Sequence, residues 1–319
     1  MRWARYVRLI RSVTQLAYEL EEERRKGRGI ALVPTMGSLH AGHSSLLAQA
    51  RQSGRAVVLT IFVNPTQFDD RSDFDRYPRT QDRDLELAEA EGAELVLVPS
   101  TEQMYPPPDV VRVTASGPLT ELWEGASRPG HFDGVLTVVG RLFGMAGSCR
   151  AFFGEKDYQQ LRLVSALAAE MFPLVEVVGC PVVREADGVA CSSRNALLSS
   201  EDRRAAAVIH RALLEGCDRA SRHGASAASV EAAVRSRIEK EPRAEIDYVG
   251  VVRIDDLVPA GELVGEMRIL VACRFGPVRL IDNVALSGAA PEAGAGAGAG
   301  EGHAVVGRRT AILSSQDDD

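Results

Sequence analysis

A doubly wound α/β domain built on a parallel sheet, followed by a smaller α+β domain, is the fold class this sequence predicts. Three observations predict it. Short apolar runs at 30–33, 56–63 and 95–98 alternate with helical stretches, and strands that are apolar throughout belong to a parallel sheet covered on both faces. After residue 184 the order changes to helices followed by strands, the pattern of an α+β unit. The chain is 319 residues long, enough for two cores.

In chain order, Val13, Leu16, Ala17 and Leu20 recur at helical spacing before a charged end at 21–26, which predicts a first amphipathic helix. The strand at 30–33 comes next, then a Pro/Gly turn and a helix carrying the apolar residues of 46–50. After the strand at 56–63 the pattern gives a helix over 82–91, a strand at 95–98, and a helix over 133–145 carrying Val135, Leu136, Val138, Val139 and Leu142. A short strand at 151–153, a helix over 158–171 and a strand at 174–178 complete a first domain of residues 1–183. A small domain over 184–286 follows, with alanine-rich helices at 200–221 and 226–240 and strands near 246–252, 267–274 and 278–283. Residues 287–319 are rich in Ala and Gly and end in three aspartates, a composition too poor in apolar surface to order itself, so a disordered tail is expected.

Composition narrows the function. Net charge is −7, which argues against nucleic acid as a partner and confines any positive field to a local site. The five cysteines are odd in number and widely spaced, without a C-x-x-C pair, so neither a disulfide framework nor a zinc site is expected. No apolar run reaches the length of a membrane span, and the basic start lacks the apolar stretch and cleavage site of a signal peptide. A cytoplasmic protein without membrane attachment is the expectation.

Four clusters carry chemistry. In the first, strand 30–33 runs through Pro34, Thr35, Met36 and Gly37 to His40 and His43, which open a helix. Unpaired N–H groups at a helix N-terminus attract anions, and histidines one turn apart reach the same phosphate oxygens. Small residues between them let a ligand approach the backbone closely. The second, Phe62 to Phe68, follows the strand at 56–63 and aims the amides of Asn64 and Gln67 at the same crevice, where they suit a hydroxylated substrate; a simple Asn-Pro-Thr turn is the alternative. The third, Phe152 to Gln160, offers Gly154 for close backbone approach, Lys156 as a point charge for phosphate or as the partner of a neighbouring carboxylate, and Asp157 as a helix cap or acceptor of ribose hydroxyls. In the fourth, Ser192, Ser193 and Arg194 stand in a loop at the domain boundary, where two hydroxyls and a guanidinium can clamp a triphosphate opposite the histidines.

These clusters together resemble one family. The stretches PTMGSLHAGH (34–43), FVNPTQF (62–68), DFDRYPRT (73–80), EGASRPGHFDGV (124–135), FFGEKDYQQL (152–161) and CSSRNALL (191–198) stand in the order of the pantothenate synthetases, the pantoate–β-alanine ligases, over roughly residues 9 to 285. The resemblance implies a HIGH-motif nucleotidyltransferase with a Rossmann-like N-terminal domain and a small C-terminal domain that closes over ATP. It also implies a homodimer and a two-step reaction, in which pantoate and ATP give a pantoyl adenylate and pyrophosphate, and β-alanine then displaces AMP. Two other classes share the histidine pair: a nucleotidyltransferase making a dinucleotide cofactor, which needs no glutamine pair, and a catalytically silent nucleotide-binding module.

By resemblance, His40, His43 and Lys156 contact the ATP phosphates, the backbone at Met36 and Gly37 helps position the reactants, and Ser192, Ser193 and Arg194 hold the triphosphate. Gly154 and Asp157 fit the ribose, Phe153 and Val183 the adenine environment, and Cys191 stands beside them where the family usually has methionine. A buried, inert thiol is expected there. Gln67 and Gln160 match the pantoate-binding pair, with Asn64 nearby, Pro34 and Met36 as apolar wall, and Arg128 and His131 in a loop edging the site. Mg²⁺ is implied by ATP chemistry. No ligand is assigned to it; Asp82 and Asp84 are candidates whose alternative role is to cap and charge their own helix.

Overall fold

The computed structural model describes residues 7–108 and 111–287. Six parallel strands form the larger sheet: β1 (Arg8–Ile10), β2 (Ile30–Thr35), β3 (Ala56–Ile61), β4 (Leu95–Leu97), β5 (Cys149–Gly154) and β6 (Val175–Cys180), in the order β1-β4-β3-β2-β5-β6. All six residues of β3 are buried, as a strand covered on both faces requires. One core lies on each face. Leu32, Val58, Leu136, Phe143 and Val164 belong to the first, and Val33, Leu47, Leu59, Ala88 and Val96 to the second.

From β2 the chain adds β3 and β4 on one side, and then β5 and β6 on the other, with Ala31 beside Arg150 in the register. The order therefore switches between β2 and β5. Ligands in open α/β sheets bind outside the carboxyl ends of strands at such a switch, and here those ends lead into the turn at 36–40 and the segment 154–157. Strand β1 was absent from the sequence expectation. It has three residues, of which only Ile10 is buried, so no apolar run marks it; pairing with β4 makes it a strand.

The second sheet is an antiparallel meander of β7 (Ala244–Arg253), β8 (Glu266–Phe275) and β9 (Val278–Ser287). Asp247 is an extra residue in β7, a bulge that shifts the register between Ile246 and Tyr248. Helices Val208–Ala220 and Ala227–Ile238 cover the sheet, and Leu213, Val230, Val234, Ile269, Val271 and Phe275 form a separate core. The single helix expected over 200–221 is two, Ser200–Ala205 and Val208–Ala220. Residues 205–209 are all buried, which one amphipathic helix face cannot achieve, and the break lets two helices share that burial. The Ala/Gly-rich segment lies outside the described residues apart from Ser287, which ends β9.

Candidate active site

The turn after β2 is shaped by groups that point inward. Thr35 Oγ1 donates to Thr60 O at 2.7 Å and accepts the Gly37 N–H at 3.2 Å. Gly37 and Ser38 take the left-handed φ values of 80° and 50°, a conformation that favours glycine. Beneath the turn, Asp84 is 1% exposed and accepts the N–H groups of Ser38 and Leu39, each at 2.8 Å. The turn is thus pinned before the helix Ala41–Gln52 begins.

His40 is the N-cap of that helix. Its Nδ1 accepts the Gly42 N–H at 3.1 Å, while His43 Nδ1 accepts the His40 N–H at 3.3 Å, a reciprocal capping box made of two histidines with ring centroids 4.1 Å apart. With both Nδ1 atoms accepting, the ring protons reside on Nε2. Burial first, and the nearby Lys156 cation among the further causes, push His40 down to about 4 and His43 to about 3. Both rings are neutral N–H donors at pH 7. Gly42 has no room for a side chain, since a Cβ there would stand 2.9 Å from His40 Cε1.

Opposite the histidines, β5 delivers Phe153 and Gly154 to a 3₁₀ turn of Glu155–Asp157, with Lys156 Nζ 3.6 Å from Asp157 Oδ1. The strand's glycine and the following helix Tyr158–Met171 bring Gln160 to the same cavity. From the boundary segment, Ser192 caps a 3₁₀ turn by accepting the Arg194 N–H, and Ser193 Oγ donates to Ser38 O at 3.1 Å, tying this loop to the histidine turn. Arg194 pairs with Asp73 at 2.8 Å and lies over the Tyr77 ring.

The fourth wall is built on buried amides. Asn64, 1% exposed, donates to Gln67 Oε1 at 3.0 Å and to Gly134 O at 3.1 Å, and its oxygen accepts from Thr66 and from Tyr105 at 2.8 Å. Gln67 is held with its Nε2 at 3.1 Å from Met36 Sδ. The Gln67 carbonyl accepts from His131 Nδ1 at 2.7 Å and Arg128 Nη2 at 3.2 Å. Because that carbonyl only accepts, His131 carries its proton on Nδ1, and Nε2 accepts from Arg128 Nη1 at 3.1 Å. Burial, with Arg128 next, lowers His131 to about 4.

These walls enclose a cavity of about 220 Å³ lined by Met36, His40, His43, Gln67, Lys156, Gln160 and Arg194, which adjoins a second of about 290 Å³ reaching β9. Cations, ring N–H donors and amides thus line one crevice. A family model described as pantoate–β-alanine ligase matches residues 8–285. The chain belongs to this family of ligases. The pantothenate synthetase of Acetivibrio thermocellus is 43% identical over 278 residues, 87% of this chain and 99% of that protein. The crystal structure of the Thermus thermophilus enzyme superposes with a TM-score of 0.83 at 45% identity, covering 87% of this chain and 99% of that one. The Francisella tularensis ligase, solved in complex with beta-gamma ATP and β-alanine, gives 0.72 at 31% identity, covering 87% and 97%.

Apart from Gly37, every residue assigned to nucleotide or pantoate from the sequence lines the smaller cavity, Pro34, Asn64, Phe153, Gly154, Asp157, Val183, Cys191, Ser192, Ser193, Arg128 and His131 included. Gly37 is absent from its wall, with its N–H turned onto Thr35. Asn64 has both amide hydrogens engaged within the protein. Arg128 stands in the 128–130 turn, as the C-cap of the short helix Glu124–Ser127, whereas His131 is not a loop residue but starts the helix His131–Ala146. Asp84 is engaged under the Ser38 turn and Asp82 is exposed and absent from the cavity wall; both stand in the first turn of the helix Gln81–Ala90 and so charge its start, without either giving it a side-chain cap. Cys191 is 8% exposed, and burial raises its thiol. Missed were Tyr77 and Asp73, present in the quoted DFDRYPRT stretch but unassigned, and the contributions of β9, whose alternating pattern gives no hint of a site.

Among the described residues no three His, Cys, Asp or Glu side chains are grouped to hold a metal. No helix among them is long and apolar enough to cross a membrane.

Proposed function

We propose that this crevice condenses (R)-pantoate with β-alanine at the expense of ATP, through a pantoyl adenylate, releasing pyrophosphate and then AMP. The observation that carries the reading is the pair of neutral, Nδ1-anchored histidines facing Lys156 across a cavity whose far wall is Gln67 and Gln160. Pantoate's carboxylate is already a nucleophile, so adenylation needs no base; it needs charge stabilisation at the α-phosphate and on the departing pyrophosphate. On this reading His40 and His43 donate Nε2–H to phosphate oxygens, and Lys156, Arg194, Ser192 and Ser193 hold the triphosphate. Met36, Phe153, Gly154, Asp157, Val183 and Cys191 surround the nucleoside. Gln67 and Gln160 take pantoate's hydroxyls and carboxylate against Pro34 and Met36, with Asn64, Arg128 and His131 holding Gln67 in place.

Mg²⁺, which ATP chemistry implies, would come with the nucleotide substrate and would supply charge neutralisation on its phosphates. A homodimer in the cytoplasm is carried over from the family likeness, and light scattering on the purified protein checks the dimer. Exchange of labelled pyrophosphate into ATP, dependent on pantoate and independent of β-alanine, tests the reaction itself. Absence of exchange by folded protein would overturn the adenylate.

A further inference from the structure

Strand β9 reaches across to the larger domain at two points on one face. Residues four apart on a strand share a face, and here they are Arg279 and Asn283. Asn283 Nδ2 donates to the carbonyls of Glu155 and Lys156, each at 2.9 Å, and Arg268 on β8 bonds Asn283 Oδ1 and, at 3.1 Å, Glu155. Arg279 makes a bidentate pair with Glu124 at 2.8 and 2.7 Å while keeping Asp247 at 2.7 Å, and Tyr248 OH donates to Glu124 at 2.7 Å. Glu124 is 6% exposed. Burial alone would raise its carboxyl, but the bonds and charge of Arg279 outweigh that and lower it, so the pair is ionised.

The segment that presents Glu124 is constrained on both sides. Trp123 before it has φ 51° and ψ −111°, a conformation L residues rarely adopt and that persists only where surroundings enforce it. Its indole donates to Leu257 O at 2.7 Å and packs edge-on against Tyr248, over Gly250, where any side chain would collide with the ring. After Glu124 a single turn ends at Arg128, which holds the Gln67 carbonyl, and the Glu124 N–H itself donates to Gln159 Oε1 at 3.0 Å, next to Gln160. One helical turn therefore joins the small domain to the Gln67 carbonyl and to Gln159, the neighbour of Gln160.

We propose that Glu124 is a positioning residue that latches the small domain to the pantoate-binding wall and thereby keeps water from the acyl intermediate. The inference rests on the adenylate mechanism. When the latch is open, water adds to the acyl carbon, the bond from that carbon to the AMP oxygen breaks, and AMP leaves with the electron pair. The released protons pass to solvent and pantoate is re-formed, so ATP is consumed without product. Sealing a labile intermediate by domain closure is a general use of such contacts.

Glu124→Gln tests this without stranding a charge, because Arg279 retains Asp247. The full-length protein should form one AMP per pantothenate. In the glutamine variant the ratio should rise to about two or more at low β-alanine, and the pantoate KM should rise about tenfold, as expected when a hydrogen bond to a charged group is weakened. Tyr248→Phe, which deletes one bond to the same carboxylate, should give an intermediate ratio and carries the test if the glutamine variant does not fold. A purely structural role would lower the melting temperature while leaving the ratio at one and the pantoate KM unchanged, and that result in either folded variant would overturn the latch. Wild-type protein that catalyses no pantoate-dependent exchange of pyrophosphate into ATP would overturn the reaction itself, and the latch with it.

Discussion

His43 turns its Nδ1 onto the backbone N–H of His40 at 3.3 Å, so the second histidine caps the helix that the first one starts. The two rings do separable work, capping through Nδ1 and facing the cavity through Nε2. His40→Asn retains a side-chain acceptor for the Gly42 N–H and should leave stability within about 0.5 kcal/mol, whereas His40→Ala should cost about 1 kcal/mol of unfolding free energy. Both should slow pantoate-dependent pyrophosphate exchange by roughly 10²-fold, the usual loss for a transition-state donor. Denaturant melts beside exchange rates check this, and an asparagine variant with normal exchange would remove His40 from the chemistry.

The same burial sets a pH dependence. His40, His43 and His131 titrate near 4, 3 and 4 in the folded protein, against an ordinary value of 6.5. Between those values the unfolded chain binds protons that the folded one does not, so stability rises with pH there. It is complete above about 6.5 and is lost as pH falls toward 4. Depressed carboxylates such as Glu124 act in the same direction only at lower pH, below their usual 4.5. Melting temperature should therefore decline from pH 6.5 to 5, and His131→Gln, whose amide can still donate to the Gln67 carbonyl, should flatten that decline. Equal slopes in the two proteins would count against a buried neutral His131.

Most of this architecture was legible because strands covered on both faces leave continuous apolar runs, as at Ala56–Ile61, and because the site residues sit where such runs end. What stayed hidden depends on tertiary contact. Strand β1 exists by pairing with β4, and the break after Ala205 answers to packing around five buried residues. Asn64 and Gln67 looked equivalent in sequence, yet only the folded network makes Asn64 the support of Gln67. The grip of β9 on Glu124 and on the Lys156 carbonyl joins residues more than a hundred positions apart, beyond the reach of any local pattern.

That hierarchy between the two amides has a kinetic consequence. Gln67→Ala should weaken pantoate by about 1–3 kcal/mol, the effect of losing a buried hydrogen-bond partner, with little change in ATP affinity. Asn64→Asp removes both donors and leaves Gln67 Oε1 and Gly134 O facing a carboxylate, so it should lower stability as well as pantoate affinity. Isothermal titration with pantoate, paired with thermal melts, separates the cases. Unchanged stability in Asn64→Asp would show that its role as a support is misread.

Helix His131–Ala146 presses directly on the turn that carries Gln67. A Cβ at Gly134 would collide with the Thr66 carbonyl and stand 2.6 Å from Gln67 Cα, both backbone positions that no rotamer change can move aside. Gly134→Ala should therefore destabilise by about 1–3 kcal/mol, the typical cost of overpacking, and raise the pantoate KM. Gly144, where nothing stands within 4 Å, is the control on the same helix. There an alanine should be neutral or stabilising by up to about 1 kcal/mol, and equal effects at the two positions would refute the contact.

Arg194 lies within reach of the proposed triphosphate but already has a carboxylate, Asp73, at 2.8 Å, and both side chains retain about a quarter of their exposure. Incoming phosphate oxygens compete with Asp73 for the guanidinium and are repelled by its charge. Asp73→Asn keeps a hydrogen-bond acceptor for Arg194 while removing that repulsion, so the KM for ATP should fall. The pair is partly solvent-screened and worth at most about 1 kcal/mol, which bounds the change at about fivefold and makes it shrink as salt is raised. If Asp73 instead serves mainly to orient Arg194, the KM for ATP rises in the variant and the salt dependence reverses, so ATP titrations at low and high ionic strength decide between competitor and guide.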